Sequence, residues 1–198
     1  MKKTKNNQTP IHEPQNLKHE ILLDTEYLKV RKNEHFIYAE RKGIDSIAFI
    51  LTAKDLSDPK RIGVIHEYKN PIEKYLNTAF GGTIDKHQDN LIKLVQEECL
   101  EEAGFIVPKE DVSYHGKYLN STQMNQFTHL FSVSVDKSKL QQRTTQDPGE
   151  LKSTLKWIKP EKVLADLNKC SSSVHVVFPK AVNMKKDDEL KIELIIEE

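Results

Sequence analysis

The stretch from Phe80 to Phe105, FGGTIDKHQDNLIKLVQEECLEEAGF, constrains the fold of this 198-residue chain more than any other. Apolar residues recur there at steps of three and four, which predicts a helix with one face on a core. That stripe is Leu91 or Ile92, Val95, Cys99 and Ala103. Asp89, or Gln88, is expected to cap the helix start, and Gly104 stands where a left-handed cap ends a helix. The chain must therefore bury this helix between two glycine-containing turns.

Four glutamates fall within six residues of that helix, Glu97, Glu98, Glu101 and Glu102. The last three recur at i, i+3 and i+4 and are expected to share a face, where each like-charge pair costs about 0.2–0.5 kcal/mol. A solvated acidic face is one interpretation. The other is a site for a hard cation, because carboxylate oxygens suit Mg²⁺ or Mn²⁺. The preceding pair Gly81-Gly82 would let backbone approach a metal or phosphate.

Composition excludes several function classes. The chain has 30 basic and 30 acidic residues, and this balance gives no electrostatic argument for nucleic-acid or membrane binding. No apolar run approaches the roughly 20 residues of a membrane helix, and the basic N-terminus lacks the apolar segment of a signal peptide. Cys99 and Cys170 form neither a disulfide framework nor a metal-ligand spacing. We expect a cytoplasmic protein with two reduced thiols.

The pattern along the chain predicts one main domain with appendages. Residues 1–17 are expected to form a flexible arm, 18–43 an antiparallel β-hairpin turning near Asn33, 44–170 the main domain and 171–198 an extension. The end of that extension, ELKIELIIEE, fits a strand or a helix, and we favour the strand. Strands are predicted at 44–53, 64–68, 112–121, 127–136 and before Pro160, which opens a late helix. Residues 69–78 are expected to form a loop. Strands flanking one central helix predict an α/β (α+β) sandwich.

The second half of the quoted stretch resembles the Nudix box, the signature of the Nudix hydrolase superfamily. The matches are Glu98, Glu101, Glu102 and Gly104, with Cys99 and Phe105 at apolar positions and Gly82 at the family's glycine. The first half is degenerate. Six residues rather than five separate Gly82 from Asp89, and Asp89 replaces the usual glutamate. Glu97 replaces an arginine that in the family helps to orient the glutamate after it.

The flanking segments resemble the ADP-ribose pyrophosphatase branch, so that the resemblance covers about residues 25–168. TAFGGTID resembles that branch's entry to the box, and Glu67-Tyr68-Lys69 stands where it has Gln-Tyr-Arg. GELKSTLKWIKPEKVLADL resembles its ending. The resemblance implies a Nudix-type α/β/α sandwich with a mixed central sheet and an added N-terminal antiparallel β element. It also implies a homodimer, because relatives in this branch exchange their N-terminal strands.

The implied activity is Mg²⁺- or Mn²⁺-dependent hydrolysis of a nucleoside diphosphate linked to another moiety, ADP-ribose or similar, by water attack on the pyrophosphate. The implied metal ligands are Gly82 through its carbonyl, Glu98, Glu101 and Glu102, with Asp85 and Asp89 as weaker candidates that also read as turn or cap residues. The implied catalytic residues are Glu98, Glu101 and Glu150, the last as general base, with Asp147 second.

Other residues carry weaker interpretations. Tyr68 and Phe80 are candidates for stacking on the nucleotide base, with packing as the alternative, and His87 for a phosphate contact, with an exposed loop as the alternative. The expected partner is a nucleotide-derived small molecule, and a capped RNA end is the one nucleic acid that such a site would take. The alternative functions are a catalytically impaired Nudix-fold module that binds a nucleotide or partner, and an unrelated globular protein with an acidic surface helix.

Overall fold

The computed structural model describes residues 18–41, 45–54, 61–84, 90–145, 152–165 and 167–181. The helices are α1 (Leu91–Glu98), α2 (Pro160–Ala165) and α3 (Ser172–Ala181). The strands are β1 (Glu20–Asp24), β2 (Leu28–Lys32), β3 (Ile37–Arg41), β4 (Asp45–Ala53), β5 (Ile62–Lys69), β6 (Lys74–Thr78), β7 (Thr83–Ile84), β8 (Val112–Ser121), β9 (Met124–Val135) and β10 (Thr154–Ile158). The expected arm over 1–17 and the strand-like segment 189–198 lie outside these residues.

One mixed sheet holds all the strands. Its path runs β1-β2-β3-β9-β4-β5-β10, and β6, β7 and β8 pair with β5, β4 and β9. Strands β3 and β4 lie parallel to β9, while the other pairs are antiparallel. The predicted strands at 44–53, 64–68, 112–121 and 127–136 are confirmed within one or two residues for most of their ends. No helix in the described ranges is long and apolar enough to cross a membrane.

The sheet is covered on both faces. Phe49, Leu51 and Phe131 pack with α1 on one face, and Ile50 and Val64 pack on the other face with α3. Successive side chains of a strand point to opposite faces, so β4 must be apolar on both sides, which explains the unbroken run IAFIL. The expected α/β/α sandwich with a mixed central sheet is confirmed.

The N-terminal antiparallel element is also confirmed. Asn33 Oδ1 accepts the N–H groups of His35 at 2.9 Å and Phe36 at 2.8 Å, a side-chain turn that short polar residues favour. Strands β2 and β3 flank it as expected. The structure adds β1, which pairs with β2 and makes the predicted hairpin a three-stranded meander.

Two local predictions are wrong. The expected loop over 69–78 contains only one turn of 3₁₀ helix, Asn70–Ile72, before strand β6 pairs with β5. Glu73, with φ 53°, makes the reversal. The N-cap of α1 is Asn90 rather than Asp89, which lies outside the described residues; Asn90 Oδ1 accepts the N–H of Lys93 at 3.1 Å.

The segment that follows the predicted domain boundary at residue 170 packs on the main sheet. Helix α3 begins at Ser172 and buries Val174, Val177 and Phe178, each at most 1% exposed, against the sheet. Backbone bonds from Ser171 N–H to Asn77 O, at 2.9 Å, fix its start against β6. Residues 171–181 therefore belong to the core of the main domain.

Candidate active site

A cleft of about 640 Å³ opens between the start of β4, the glycine pair and the C-terminal half of the box helix. We call it the glutamate cleft because Glu67, Glu98 and Glu102 line it. It also contains two cations, Arg41 and Lys69, and a group of hydroxyl and amide side chains. Its position brings together elements that are remote in sequence.

The glycine pair is held against β4 like an additional short strand. Phe49 and Phe80 exchange backbone N–H···O bonds of 2.8 and 2.9 Å, and the N–H of Ile47 donates to the carbonyl of Gly82 at 2.9 Å. The Gly82 carbonyl, an expected metal ligand, thus already accepts one bond and has its second lone pair for another partner. The backbone floor of the cleft is consequently fixed by the sheet.

Both glycines are required by close approach. A Cβ on Gly82 would lie 1.9 Å from Oε1 of Glu98, and a Cβ on Gly81 would lie 2.2 Å from the carbonyl oxygen of Ile47. No carbon atom fits at such distances. The pair therefore lets the Glu98 carboxylate lie directly on the loop backbone; the predicted approach of this backbone to a metal or phosphate stays a prediction.

Glu102 is nearly buried, with 7% of its surface exposed, and its Oε2 accepts the N–H of Gly81 at 3.0 Å. A backbone donor to a carboxylate makes a charge-assisted bond, which holds that side chain in one orientation. Glu102 thus contacts Gly81, and Glu98 lies against the adjacent Gly82. The structure brings these two predicted residues together at the glutamate cleft.

Glu101 lies elsewhere. After Glu98 the helix widens into a π-helical turn over Cys99–Ala103, and Gly104 ends it at φ 77°, as predicted. A wider turn needs more residues per revolution than the 3.6 of an α-helix. The third residue after Glu98 is therefore rotated further from it, while the fourth returns near the same face. Glu101 is exposed and does not line the cleft.

Cys99 lies behind the two carboxylates and is fully buried as a free thiol. Burial, and secondly the negative charge of Glu102, raise the pKa of the Cys99 thiol to about 12 from 9.0. The side chain is therefore a neutral apolar residue of the core, as its position in the helix stripe predicts.

Glu67 is a cleft carboxylate that the sequence analysis missed as a site residue. Its Oε1 accepts a hydrogen bond from the hydroxyl of Thr78 and forms an ion pair with Lys69 Nζ at 2.6 Å. Its place follows from strand alternation, since Ile65, Glu67 and Lys69 of β5 all border the cleft. That period of two was visible in the sequence, but the partner strand β6 was not predicted.

The wall opposite the helix is built of hydroxyl and amide groups. Ser46 Oγ lies 2.7 Å from Thr128 Oγ1, which donates to Asn120 Oδ1 at 2.6 Å. Asn120 Nδ2 in turn donates to Gln126 Oε1 at 3.1 Å. Because this chain of bonds joins three different strands, no local sequence pattern could have predicted it.

The two aromatic candidates do not offer a ring to the cleft. Phe80 is 1% exposed and its ring stacks on Phe49 with centroids 5.3 Å apart, so the alternative of core packing is correct for it. Tyr68 packs edge-on to Tyr75 and does not line the cleft. The remaining candidates lie outside the described residues, namely Asp85, His87, Asp89, Asp147 and Glu150.

The described residues fit a divalent cation only in part. Among them there is no group of three or more His, Cys, Asp or Glu side chains placed to hold a metal. Mg²⁺, however, usually takes only one or two protein carboxylates and obtains its other ligands from water and substrate phosphate. Glu98 and Glu102 on one cleft meet that smaller requirement.

Comparison with known proteins establishes the fold. No family model and no curated protein matches the sequence. Solved structures do match, and one of them is a crystal structure of an ADP compounds hydrolase. It aligns with a TM-score of 0.60 over 89% of this chain and 94% of that chain, at 15% identity. This likeness confirms the expected α/β/α sandwich with a mixed central sheet as the fold of this chain.

Proposed function

We propose that this protein is a Nudix-type, Mg²⁺- or Mn²⁺-dependent hydrolase that cleaves the pyrophosphate of a nucleoside diphosphate linked to another moiety, such as ADP-ribose. The observation that carries the proposal is the placement of Glu98 and Glu102 over the Gly81-Gly82 backbone. An ADP compounds hydrolase has the same fold, and an ADP compound contains the bond in question.

The chain's own groups would share the work. Glu98 and Glu102 would hold the cation, with the Gly82 carbonyl as a further ligand; Glu101, which the resemblance also implies as a ligand, lies outside the cleft and has no part in the proposal. A bound divalent cation supplies polarisation of the phosphoryl oxygens and lowers the pKa of water. Lys69 and Arg41, which also line the cleft, would offset phosphate charge. Glu150, with Asp147 second, stays the predicted general base.

A turnover panel tests the proposal. The protein would be incubated with Mg²⁺ or Mn²⁺ and ADP-ribose, NADH, diadenosine polyphosphates, FAD, nucleoside triphosphates or capped RNA, with products identified by mass. Glu98→Gln is expected to abolish cleavage, and Glu97→Gln to retain it. Glu97 is the matched control because it lies next in sequence, is exposed and pairs with Lys93 at 3.3 Å.

The second candidate function is a module that binds a nucleotide or partner without turnover. It is favoured by Glu97 at the box arginine and by the lack of a three-residue metal group among the described residues. Titration with Mn²⁺, followed by electron paramagnetic resonance, separates the candidates when the panel shows no cleavage. Saturable Mn²⁺ binding that Glu98→Gln removes would then support the module and contradict the hydrolase.

The homodimer expected from the resemblance is part of the proposal. The meander exposes apolar side chains on the described protomer, among them Ile21, Leu22, Leu23 and Phe36, each at least 46% exposed. Burial of such a patch against a second copy would stabilise an assembly. Light scattering that gives twice the mass of 22.9 kDa is the expected result, and a monomer mass would contradict it.

A further inference from the structure

A second cavity, of about 690 Å³, lies outside the glutamate cleft and shares no lining residue with it. We call it the basic cavity, because its walls include Arg61, Lys156, Lys159, Lys162 and Lys169. Arg61 directly precedes β5, Lys156 lies on β10 and Lys159 joins β10 to α2. Lys162 lies on α2, and Lys169 ends the 3₁₀ turn Leu167–Lys169. Separate segments of the chain thus bring cations to one concave surface.

The charge of this surface is one-sided. The described residues that line it include five Lys or Arg and no Asp or Glu, although the whole chain has 30 of each sign. Within the described ranges, no ion pair joins Lys156, Lys159 or Lys162 to a carboxylate. Like charges that share one surface repel one another, and an anionic ligand would relieve the repulsion among these three lysines.

Protection of a sheet edge does not explain the whole cluster. Strand β10 ends the sheet path, and lysines commonly blunt such edges. That account covers Lys156, which lies on β10. It does not cover Arg61, Lys162 and Lys169, which come from other elements and line the same cavity.

The floor of the basic cavity is ordered. His66 Nδ1 lies 3.0 Å from Asn77 Oδ1, and the His66 ring stacks on Tyr75 with centroids 5.3 Å apart. The adjacent residues Glu67 and Thr78 border the glutamate cleft instead. This follows from strand alternation on β5 and β6, which directs neighbouring residues into two separate sites.

We propose that the basic cavity binds a compact polyphosphate, either free or attached to a nucleoside. A terminal phosphate carries about −1.5 to −2 charges at neutral pH, so a chain of about two or three phosphates offsets the charge of the three lysines that make no ion pair with a described carboxylate. A concave surface with converging cations favours a compact ligand over an extended nucleic-acid backbone, which a basic stripe would fit better. The proposal does not depend on the function of the glutamate cleft.

The Trp157 ring packs on the core cluster around α1, with Lys137 Nζ 4.3 Å from the ring centroid, so binding at the basic cavity is measured by isothermal titration calorimetry rather than by tryptophan fluorescence. The full-length protein would be titrated with inorganic tripolyphosphate in EDTA, which removes the divalent cations that the glutamate cleft is proposed to need. We expect a saturable heat of binding that weakens with added salt. Glu98→Gln is expected to bind tripolyphosphate as the wild type does.

Two triple variants that remove the same charge test whether tripolyphosphate binds at the basic cavity. Lys156→Gln/Lys159→Gln/Lys162→Gln is expected to weaken binding by about tenfold or more. Lys32→Gln/Lys109→Gln/Lys117→Gln removes the same charge from exposed positions outside the cavity and is expected to change affinity less than about twofold. Equal weakening in both variants, or no saturable binding in the wild type, would overturn the proposal.

The ligand class is resolved by parallel titrations with ATP and with a single-stranded RNA oligonucleotide. Tighter binding of ATP than of tripolyphosphate would assign the cavity to a nucleotide, and equal binding would assign it to the phosphate chain alone. Tighter binding of the oligonucleotide than of both, lost in the first triple variant, would overturn the compact ligand and make this surface a nucleic-acid contact.

Discussion

Gly81 and Gly82 are adjacent, but a Cβ atom added at each would meet different atoms. Added carbon would meet the flexible end of Glu98 at Gly82 and the backbone of Ile47 at Gly81. A side chain can turn away from a clash, whereas a strand backbone cannot do so without moving its hydrogen-bond partners. The two positions therefore separate an effect on the site from an effect on the fold.

From this we predict that Gly82→Ala displaces Glu98 and lowers kcat about 10²-fold, with a change in the free energy of unfolding below about 1 kcal/mol. Gly81→Ala is expected to lower the free energy of unfolding by about 1–3 kcal/mol, as overpacking does. Urea denaturation and turnover of both variants provide the check. A stability loss at Gly82 as large as that at Gly81 would contradict the argument.

The Cys99 thiol is expected to make the free energy of unfolding depend on pH. In the unfolded chain its thiol titrates near 9.0, and in the folded chain near 12. Above pH 9 the folded state therefore binds more protons at this site than the unfolded state, so the stability that it contributes is lost as pH rises from 9 towards 12. In Cys99→Ala the denaturation midpoint is expected to fall less steeply over that window than in the wild type. Parallel slopes would show that Cys99 does not titrate as described.

The spacing of residues in the sequence predicted those members of the cleft that lie near one another along the chain. Glu98, Glu102 and Gly82 follow from the box pattern, and the structure places all three at one cleft. It did not predict Glu67 or the bonds between Ser46, Thr128 and Asn120, because their partners are set by pairing of distant strands. Phe80 was a candidate for stacking on a nucleotide base, and its burial excludes that role. The sequence alone does not distinguish an aromatic residue that stacks on a ligand from one that packs in the core.

At the scale of elements, α1 depends on its N-cap. The sequence analysis expected Asp89 or Gln88 there, whereas the cap is Asn90, a residue type that accepts the same kind of bond. A cap also sets the direction of the helix, and α1 carries Glu98 at its last residue. Capping here therefore links stability to the orientation of the glutamate cleft.

We predict that Asn90→Ala lowers the free energy of unfolding by about 1 kcal/mol, because the N–H of Lys93 loses its acceptor. Asn90→Asp is expected to recover most of that loss, since aspartate accepts the same bond and its charge suits the positive helix end. Urea denaturation of the three proteins measures both. An aspartate variant no more stable than the alanine variant would point away from capping.

Element type was predictable where period and flanking residues agreed, as in β4, β8, β9 and α1. It was not predictable where tertiary contact overrides local preference. The sequence KNPIEKYLNT is typical of a proline-containing loop. Its second half nevertheless forms strand β6, because it pairs with the edge of β5. Composition likewise does not predict the π-helical turn after Glu98. This turn rotates Glu101 away from Glu98 and Glu102, with which an α-helical period would place it on one face.

At the scale of the whole molecule, the two core clusters show why the chain continues past residue 170. Cluster one, around α1, positions the glutamates, and cluster two is closed by α3 on the opposite face. A sheet buried on one face only would expose Ile50, Ile62 and Val64 to water. Helix α3 is thus needed for the fold, although the sequence reading assigned its residues to an extension.

Matched removal of one phenylalanine ring tests this requirement. Phe178 of α3 is 1% exposed and Phe36 of the meander is 64% exposed. Phe178→Ala is expected to lower the free energy of unfolding by about 3–5 kcal/mol, because it leaves a cavity in cluster two. For Phe36→Ala we expect a change within about 0.5 kcal/mol at low protein concentration. If the midpoint of Phe36→Ala instead falls relative to wild type only at high concentration, the ring is buried by a second copy, as the proposed dimer requires. A Phe178→Ala variant as stable as the wild type would return residues 171–181 to the status of an appendage.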